Sequence, residues 1–271
     1  MMEETKKGRL SQRFNILQIA REEGKTVLRP AEKQVIAETS LKILVNGEEY
    51  ASLLCLDQYP EELALGFLYS EGAIDSFGDI LSIRVDQPEK QVFVKVGDAT
   101  LVHERKSIRC IASGGGKSYT SIDRLGPKRV RARESSVTFP LTDVLDIMKD
   151  FETRSEIFRD IGGVHSVMYQ SEGFSLLIED IGRHNCVDKI TGFLLKTGRL
   201  SDVGKGIMFI SGRVSSEIMT KIIRLGVPIL VSRSTPTATA VTLAEHYQVT
   251  LLGYVRGDSG SIYAGAARLT I

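Results

Sequence analysis

Cysteine is scarce in this chain of 271 residues: Cys55, Cys110 and Cys186 stand far apart. Three scattered thiols, none in a Cys-x-x-Cys pair, build no disulfide framework. His103, His165, His184 and His246 do not join them in a spacing that reads as a structural zinc site, so no metal is expected. Long apolar runs are missing as well. None approaches the roughly 18 to 20 residues of a membrane span, and Met1 to Arg13 is charged, without the apolar stretch of a signal peptide. A cytoplasmic protein with no membrane contact is expected. An excess of one charge is also lacking, since 35 Lys and Arg face 34 Asp and Glu. That balance argues against a broad footprint for nucleic acid, so any anion site must be local. Internal repeats and low-complexity segments are absent too.

What is present is an ordinary globular composition, 42% hydrophobic and 25% charged, which excludes a disordered or fibrous chain. The rhythm of apolar residues divides it in two. Residues 1–140 read as a smaller β-rich domain. Its first ten residues form a loose tail, and Phe14 to Ile19 looks able to pack. Val35 to Thr39, Leu41 to Val45 and Gln91 to Val96 alternate like half-buried strands, with Asn46-Gly47 as a hairpin turn. Pro60 to Glu71 reads as a helix started by a proline and two acids. The spacing from Leu141 to Phe158 predicts a single amphipathic helix. Beyond it, strand-like segments at 174–178, 207–210, 228–231 and 249–255 alternate with helical ones at 185–196, 215–225 and 236–247. The fold class expected for residues 141–271 is therefore α/β, with a mostly parallel sheet and flanking helices.

Each of those four strands is followed by an arginine: Arg183, Arg213, Arg233 and Arg256. Ligands of open parallel sheets bind beyond the carboxyl ends of the strands. Four guanidinium groups converging on one such edge suit a phosphate-bearing ligand, because the planar fork pairs with phosphate oxygens. His184, with Asp180 and Asp188 close in sequence, is a candidate ligand contact or proton-transfer group, and His165 faces the same edge. Cys110 opens the segment Cys110-Ile111-Ala112-Ser113-Gly114-Gly115-Gly116-Lys117-Ser118. It is not a Walker A loop, which needs glycine where Ile111 stands, but its glycines can wrap an anion. Arg105, Lys106, Arg109 and Lys117 would favour a Cys110 thiolate if the sulfur is exposed. The alternative is an inward strand residue alternating with Ile108.

The run Glu179-Asp180-Ile181-Gly182-Arg183-His184-Asn185-Cys186-Val187-Asp188-Lys189 resembles the signature of the FdhD family of formate dehydrogenase accessory proteins, which usually has alanine in place of Cys186. Gly162-Gly163-Val164-His165, Ser211 to Glu217, Ser232 to Thr237 and Leu63 to Gly72 agree, so the likeness covers nearly the whole chain. The resemblance implies a sulfur carrier or sulfurtransferase. A cysteine accepts persulfide sulfur from a cysteine desulfurase and passes it to molybdenum in the molybdenum bis(molybdopterin guanine dinucleotide) cofactor, for formate dehydrogenase. It further implies a large domain similar to cytidine deaminases, here without their zinc motifs, a smaller domain and a homodimer. By position, the family's cofactor segment corresponds to Tyr254, Val255, Arg256, Gly257, Asp258 and Ser259, beside Arg183, His184, Asn185, Arg213 and Arg233 on the arginine edge. Where the family carries loop cysteines, this chain has Gly114 and Gly115, leaving Cys110 as the expected sulfur-bearing residue. Two other functions stay open: a cofactor-binding chaperone that needs no thiol, and a nucleotide hydrolase or transferase using His184 and Asp180.

Overall fold

The computed structural model describes residues 10–97, 110–111 and 137–271. The chain starts with a two-stranded antiparallel arm, β1 (Ser11–Glu22) and β2 (Lys25–Ile36), turned at Glu23 and Gly24, both at positive φ. Phe14, Leu17 and Ile19, expected to pack, are exposed on it. Two strands without a third element have no second layer to bury them against. β3 (Thr39–Val45) and β4 (Glu48–Cys55) follow as a hairpin, and Asn46 and Gly47 take the left-handed conformation its tight turn needs. Then come α1 (Pro60–Ser70), β5 (Ile80–Asp86), β6 (Gln91–Val96) and β7 (Cys110–Ile111). Strand order in this five-stranded sheet is β5-β6-β3-β4-β7.

α1 begins with Pro60 at its first position and Glu61 and Glu62 in its first turn, where the helix dipole favours negative charge. It is buried nearly all round, as a helix between two layers must be. Leu63, Leu65 and Leu68 are fully inside, each contributing about 1.5–3 kcal/mol by leaving water.

The second half opens with β8 (Phe139–Pro140), α2 (Leu141–Arg154) and α3 (Glu156–Asp160). The single helix expected over 141–158 is interrupted at Ser155, whose ψ of 79° is not helical. β9 (His165–Ser171) and β10 (Phe174–Asp180) form a hairpin, followed by α4 (Arg183–Lys196), β11 (Ile207–Ile210), α5 (Ser216–Leu225), β12 (Ile229–Ser232) and α6 (Ala238–His246). β13 (Thr250–Arg256), β14 (Ser259–Ala264) and the short β15 (Leu269–Thr270) complete the chain. The helix expected from Pro236 starts two residues later, capped by the Thr237 hydroxyl on the Ala240 amide.

This larger sheet runs β10-β9-β11-β12-β13-β14. β11, β12 and β13 pair in parallel, while β9 lies antiparallel to both β10 and β11. The four strands read from the sequence thus all point the same way, and β9 is inserted among them. α2 covers one face through Val144, Met148 and Phe151. α4, α5 and α6 cover the other.

α1 packs on α4 at very close range, and two glycines make this possible. A methyl on Gly66 would stand 1.7 Å from the Asp188 carbonyl oxygen, and one on Gly192 would stand 1.9 Å from that of Glu62. The five-stranded sheet thereby leans on the six-stranded one through the α1–α4 pair, and Leu195 of α4 joins the core of the smaller sheet.

Candidate functional site

Most of the Glu179 to Lys189 run is internal wiring. The Glu179 carboxylate accepts the Ile157 and Phe158 amides at 2.9 Å each, at the start of α3. Asp180 is fully buried and accepts from Leu56 N, Gly182 N and Asn185 Nδ2, and it pairs with Lys189 Nζ at 2.5 Å. Asn185 Nδ2 also donates to Leu54 O at 2.7 Å. Asp188 accepts from Ser70 Oγ and from Lys221 Nζ. Buried charges demand such partners. The ties join the end of β4 and of α1 to the start of α4, so Asn185, expected to bind cofactor, has its amide group committed within the chain.

Arg183 and His184 are different. They occupy the first turn of α4, after Gly182, at the carboxyl edge of the large sheet. His184 Nε2 lies 3.2 Å from Glu217 Oε2 on α5. Burial, then Lys221 and Arg183, push the His184 pKa below its usual value against the pull of Glu217. His165, at the start of β9 opposite Asp180, reaches the same place. Its pKa is also lowered, by burial and then by Arg183 and His184. Arg183 is depressed in turn by burial and by Arg213. Its Nε is buried with no hydrogen-bond partner among the described residues. Gly212, in the loop after β11, closes the group: a methyl there would meet Arg183 Cδ at 3.1 Å and His165 Nδ1 at 3.2 Å.

The four arginines follow strands that end at one edge, yet their side chains do not form one set. Arg183 and Arg213 are neighbours. Arg233 turns to the other face, where its Nε lies 2.8 Å from Glu152 Oε1 of α2. Arg256 stacks over the Tyr254 ring, 4.4 Å from its centre, and donates to Arg233 O. Within the 254–259 segment, Tyr254 and Gly257 have positive φ, and Asp258 pairs with Lys149 of α2 at 2.6 Å. Val255 is buried in the core and Ser259 Oγ donates to Arg256 O. Tyr254, Arg256, Gly257, Asp258 and Ser259 are all exposed, and of the segment only Val255 is buried. Sequence reasoning named the Ser211 to Glu217 run as part of the family likeness and as a helix start, but did not foresee Glu217 and Lys221 as partners of His184 and Asp188.

The cysteines sort by burial. Cys55 is buried, and desolvation pushes its thiol up to about 12. Cys186 is fully buried, its Sγ 3.3 Å from His165 O, and desolvation raises its pKa well above the usual thiol value. Neither is a thiolate near neutral pH. Cys110 starts β7, which runs parallel to β4 with Cys110 opposite Ser52 and Ile111 opposite Leu53. The chain therefore leaves β7 toward Leu54, the residue that Asn185 holds. At about 3.3 Å per residue and about 4.8 Å between strands, the Cys110 backbone is roughly 8 Å from that of Leu54. The glycine loop that follows, with Gly114, Gly115 and Lys117, lies outside the described residues.

Among the described residues no helix is long and apolar enough to cross a membrane, and no cluster of three His, Cys, Asp or Glu could hold a metal. The fold matches the crystal structure of a proposed formate dehydrogenase accessory protein from Desulfotalea psychrophila, with a TM-score of 0.75 and 23% identity over 96% of this chain and 100% of that one. The sulfur carrier protein FdhD of Staphylococcus haemolyticus is 34% identical over 259 residues, 91% of this chain and 96% of its own. That of Staphylococcus aureus strain JH9 is 34% identical over 239 residues, covering 87% and 89%. A profile of the FdhD/NarQ family matches residues 36–270, and with relatives this similar over most of their length, the chain belongs to the FdhD/NarQ family.

Proposed function

We propose that the chain is a sulfur carrier for formate dehydrogenase maturation, with Cys110 as the residue that bears sulfur. The Cys110 thiolate attacks the terminal sulfur of a cysteine desulfurase persulfide, forming a new S–S bond as the donor thiolate leaves. The terminal sulfur, at the S(0) level, would then pass to reduced molybdenum of the client bis(molybdopterin guanine dinucleotide) cofactor, the metal giving up the two electrons that make it a sulfido ligand, and Cys110 would be left as the thiolate. The observation that supports this reading is the burial of two of the cysteines: Cys55 and Cys186 are locked inside as thiols, which leaves Cys110, on β7 opposite Ser52 of β4, as the remaining candidate. The names of the staphylococcal relatives support it. Arg183, Arg213 and Arg256 would hold the guanine dinucleotide phosphates, and a homodimer is the proposed working unit.

A chaperone that binds the cofactor without carrying sulfur is favoured by one observation, that among the described residues the groups acting on Arg183 are Arg213 and Glu217 and no thiol. Complementation separates the two. Cys110→Ala is expected to abolish formate dehydrogenase activity in cells lacking their own copy of the protein, while Cys186→Ala preserves it. Full activity with Cys110→Ala would overturn the carrier reading in favour of the chaperone.

A further inference from the structure

We propose that one face of the β1–β2 arm is the surface through which two copies of this chain pair, the two arms lying face to face and antiparallel across a two-fold axis. This contact rests on the homodimer reading above, and not on Cys110.

Cross-strand register sets the two faces of the arm, because alternate residues of a strand point to opposite sides. On one face Leu17 lies opposite Pro30 and Ile19 opposite Leu28, four apolar side chains in two adjacent rows. Leu17, Ile19 and Leu28 are 63%, 72% and 60% exposed, and Pro30 is exposed as well. The other face is broken in its middle by Gln18 opposite Arg29, and Arg29 pairs with Glu22. The two strands form a sheet of their own. Such a hairpin is marginal in water, and an apolar quartet on it calls for a second layer.

The charges around the quartet name its occupant. Toward the tip it is followed by Arg21 opposite Thr26, and toward the base by Asn15 opposite Glu32, so one end is basic and the other acidic. A two-fold axis through the middle of the quartet lays it on the same four residues of a second copy and sets each Glu32 against the partner's Arg21. One row further toward the base, Arg13, 3.3 Å from Glu32, meets the tip of the other arm, where Glu23 stands. Parallel stacking would instead bring Arg21 against the partner's Arg21. Strands of 12 residues give each arm a face about 40 Å long and about 10 Å wide, roughly 400 Å² in outline. Side-chain relief raises this toward the roughly 600 Å² per partner at the low end of stable dimers.

The test is sedimentation equilibrium of the full chain over a concentration series. The wild type is expected to dimerise reversibly. Ile19→Asp, at a site already exposed in the single chain, should leave the circular dichroism unchanged and weaken the dimer about hundredfold or more, because a two-fold contact loses the side chain twice. Arg21→Glu should weaken it about tenfold, and adding Glu32→Arg should restore it, since the swap rebuilds the pair with its signs exchanged. Gln18→Lys, on the other face, should leave it unchanged. A dimer that persists undiminished in Ile19→Asp would overturn this face and leave the homodimer reading standing. A wild type that stays monomeric throughout would overturn both and give the face to a different protein. A swap that restores nothing would overturn the antiparallel pairing. Persulfide formation on Cys110, read separately, decides the carrier role by itself.

Discussion

Asp180 and Lys189 hold a 2.5 Å ion pair with both side chains fully buried, and this pair also fastens the two sheets together. Asp180 takes the Leu56 amide and Lys189 donates to the Leu56 carbonyl, so both backbone groups at the end of β4 are tied to α4. Breaking one side strands a buried charge. Asp180→Asn is expected to cost about 3–5 kcal/mol in urea unfolding, and the double change with Lys189→Met considerably less than the sum of the singles. Additive losses would show that the pair is not coupled.

The α1–α4 crossing depends on missing side chains. Gly192→Ala would drive a methyl into the Glu62 carbonyl and is expected to destabilise the protein by about 1–3 kcal/mol or more. Gly204→Ala meets nothing within 4 Å and serves as the control, with a change of no more than about 0.5 kcal/mol. Equal unfolding midpoints for the two variants would contradict the close approach.

Stability should respond to pH through His165 and His184. Both pKa values lie below 6.5 in the folded protein, so as pH falls through about 6.5 the unfolded chain takes up protons first. The stability linked to these rings is therefore full above that value and declines below it. Thermal midpoints of the wild type should fall between pH 7.5 and 5.5, and those of a His165→Gln, His184→Gln double variant should fall less. Parallel curves would show that neither histidine is depressed.

Guanine-nucleotide affinity should separate the arginines by their existing partners. Arg183→Gln and Arg213→Gln are expected to weaken GDP binding by about tenfold or more each, the worth of a charge-assisted hydrogen bond. Arg256→Gln should weaken it less, since Arg256 is exposed over Tyr254. Arg233→Gln should leave affinity nearly unchanged, because Glu152 already holds that side chain. Isothermal titration of the four variants checks the order.

The apolar runs at Ile207–Ile210 and Ile229–Ser232 marked their strands in the sequence because a strand buried on both faces has to be apolar throughout. The common direction of the strands, and so the edge shared by Arg183 and Arg213, followed from the helices between them. What stayed hidden was non-local. β9 lies between β10 and β11, a placement that no local pattern encodes. The roles of Asp180 and Asp188 depend on Leu56 and Ser70, which lie 124 and 118 positions away in the chain. A motif that reads as a ligand loop is therefore largely a set of ties, leaving Arg183 and His184 in the first turn of α4 at the carboxyl edge of the large sheet. The diversion of Arg233 depended in the same way on Glu152 of α2, on the opposite face of the sheet.

The most direct test of the carrier role is to load the purified chain with a cysteine desulfurase and labelled cysteine, then map the product by peptide mass spectrometry. A mass gain of about 32 Da per sulfur is expected on the Cys110 peptide and on neither the Cys55 nor the Cys186 peptide. An adduct that persists in Cys110→Ala, or a chain that takes up no sulfur at all, would contradict the account.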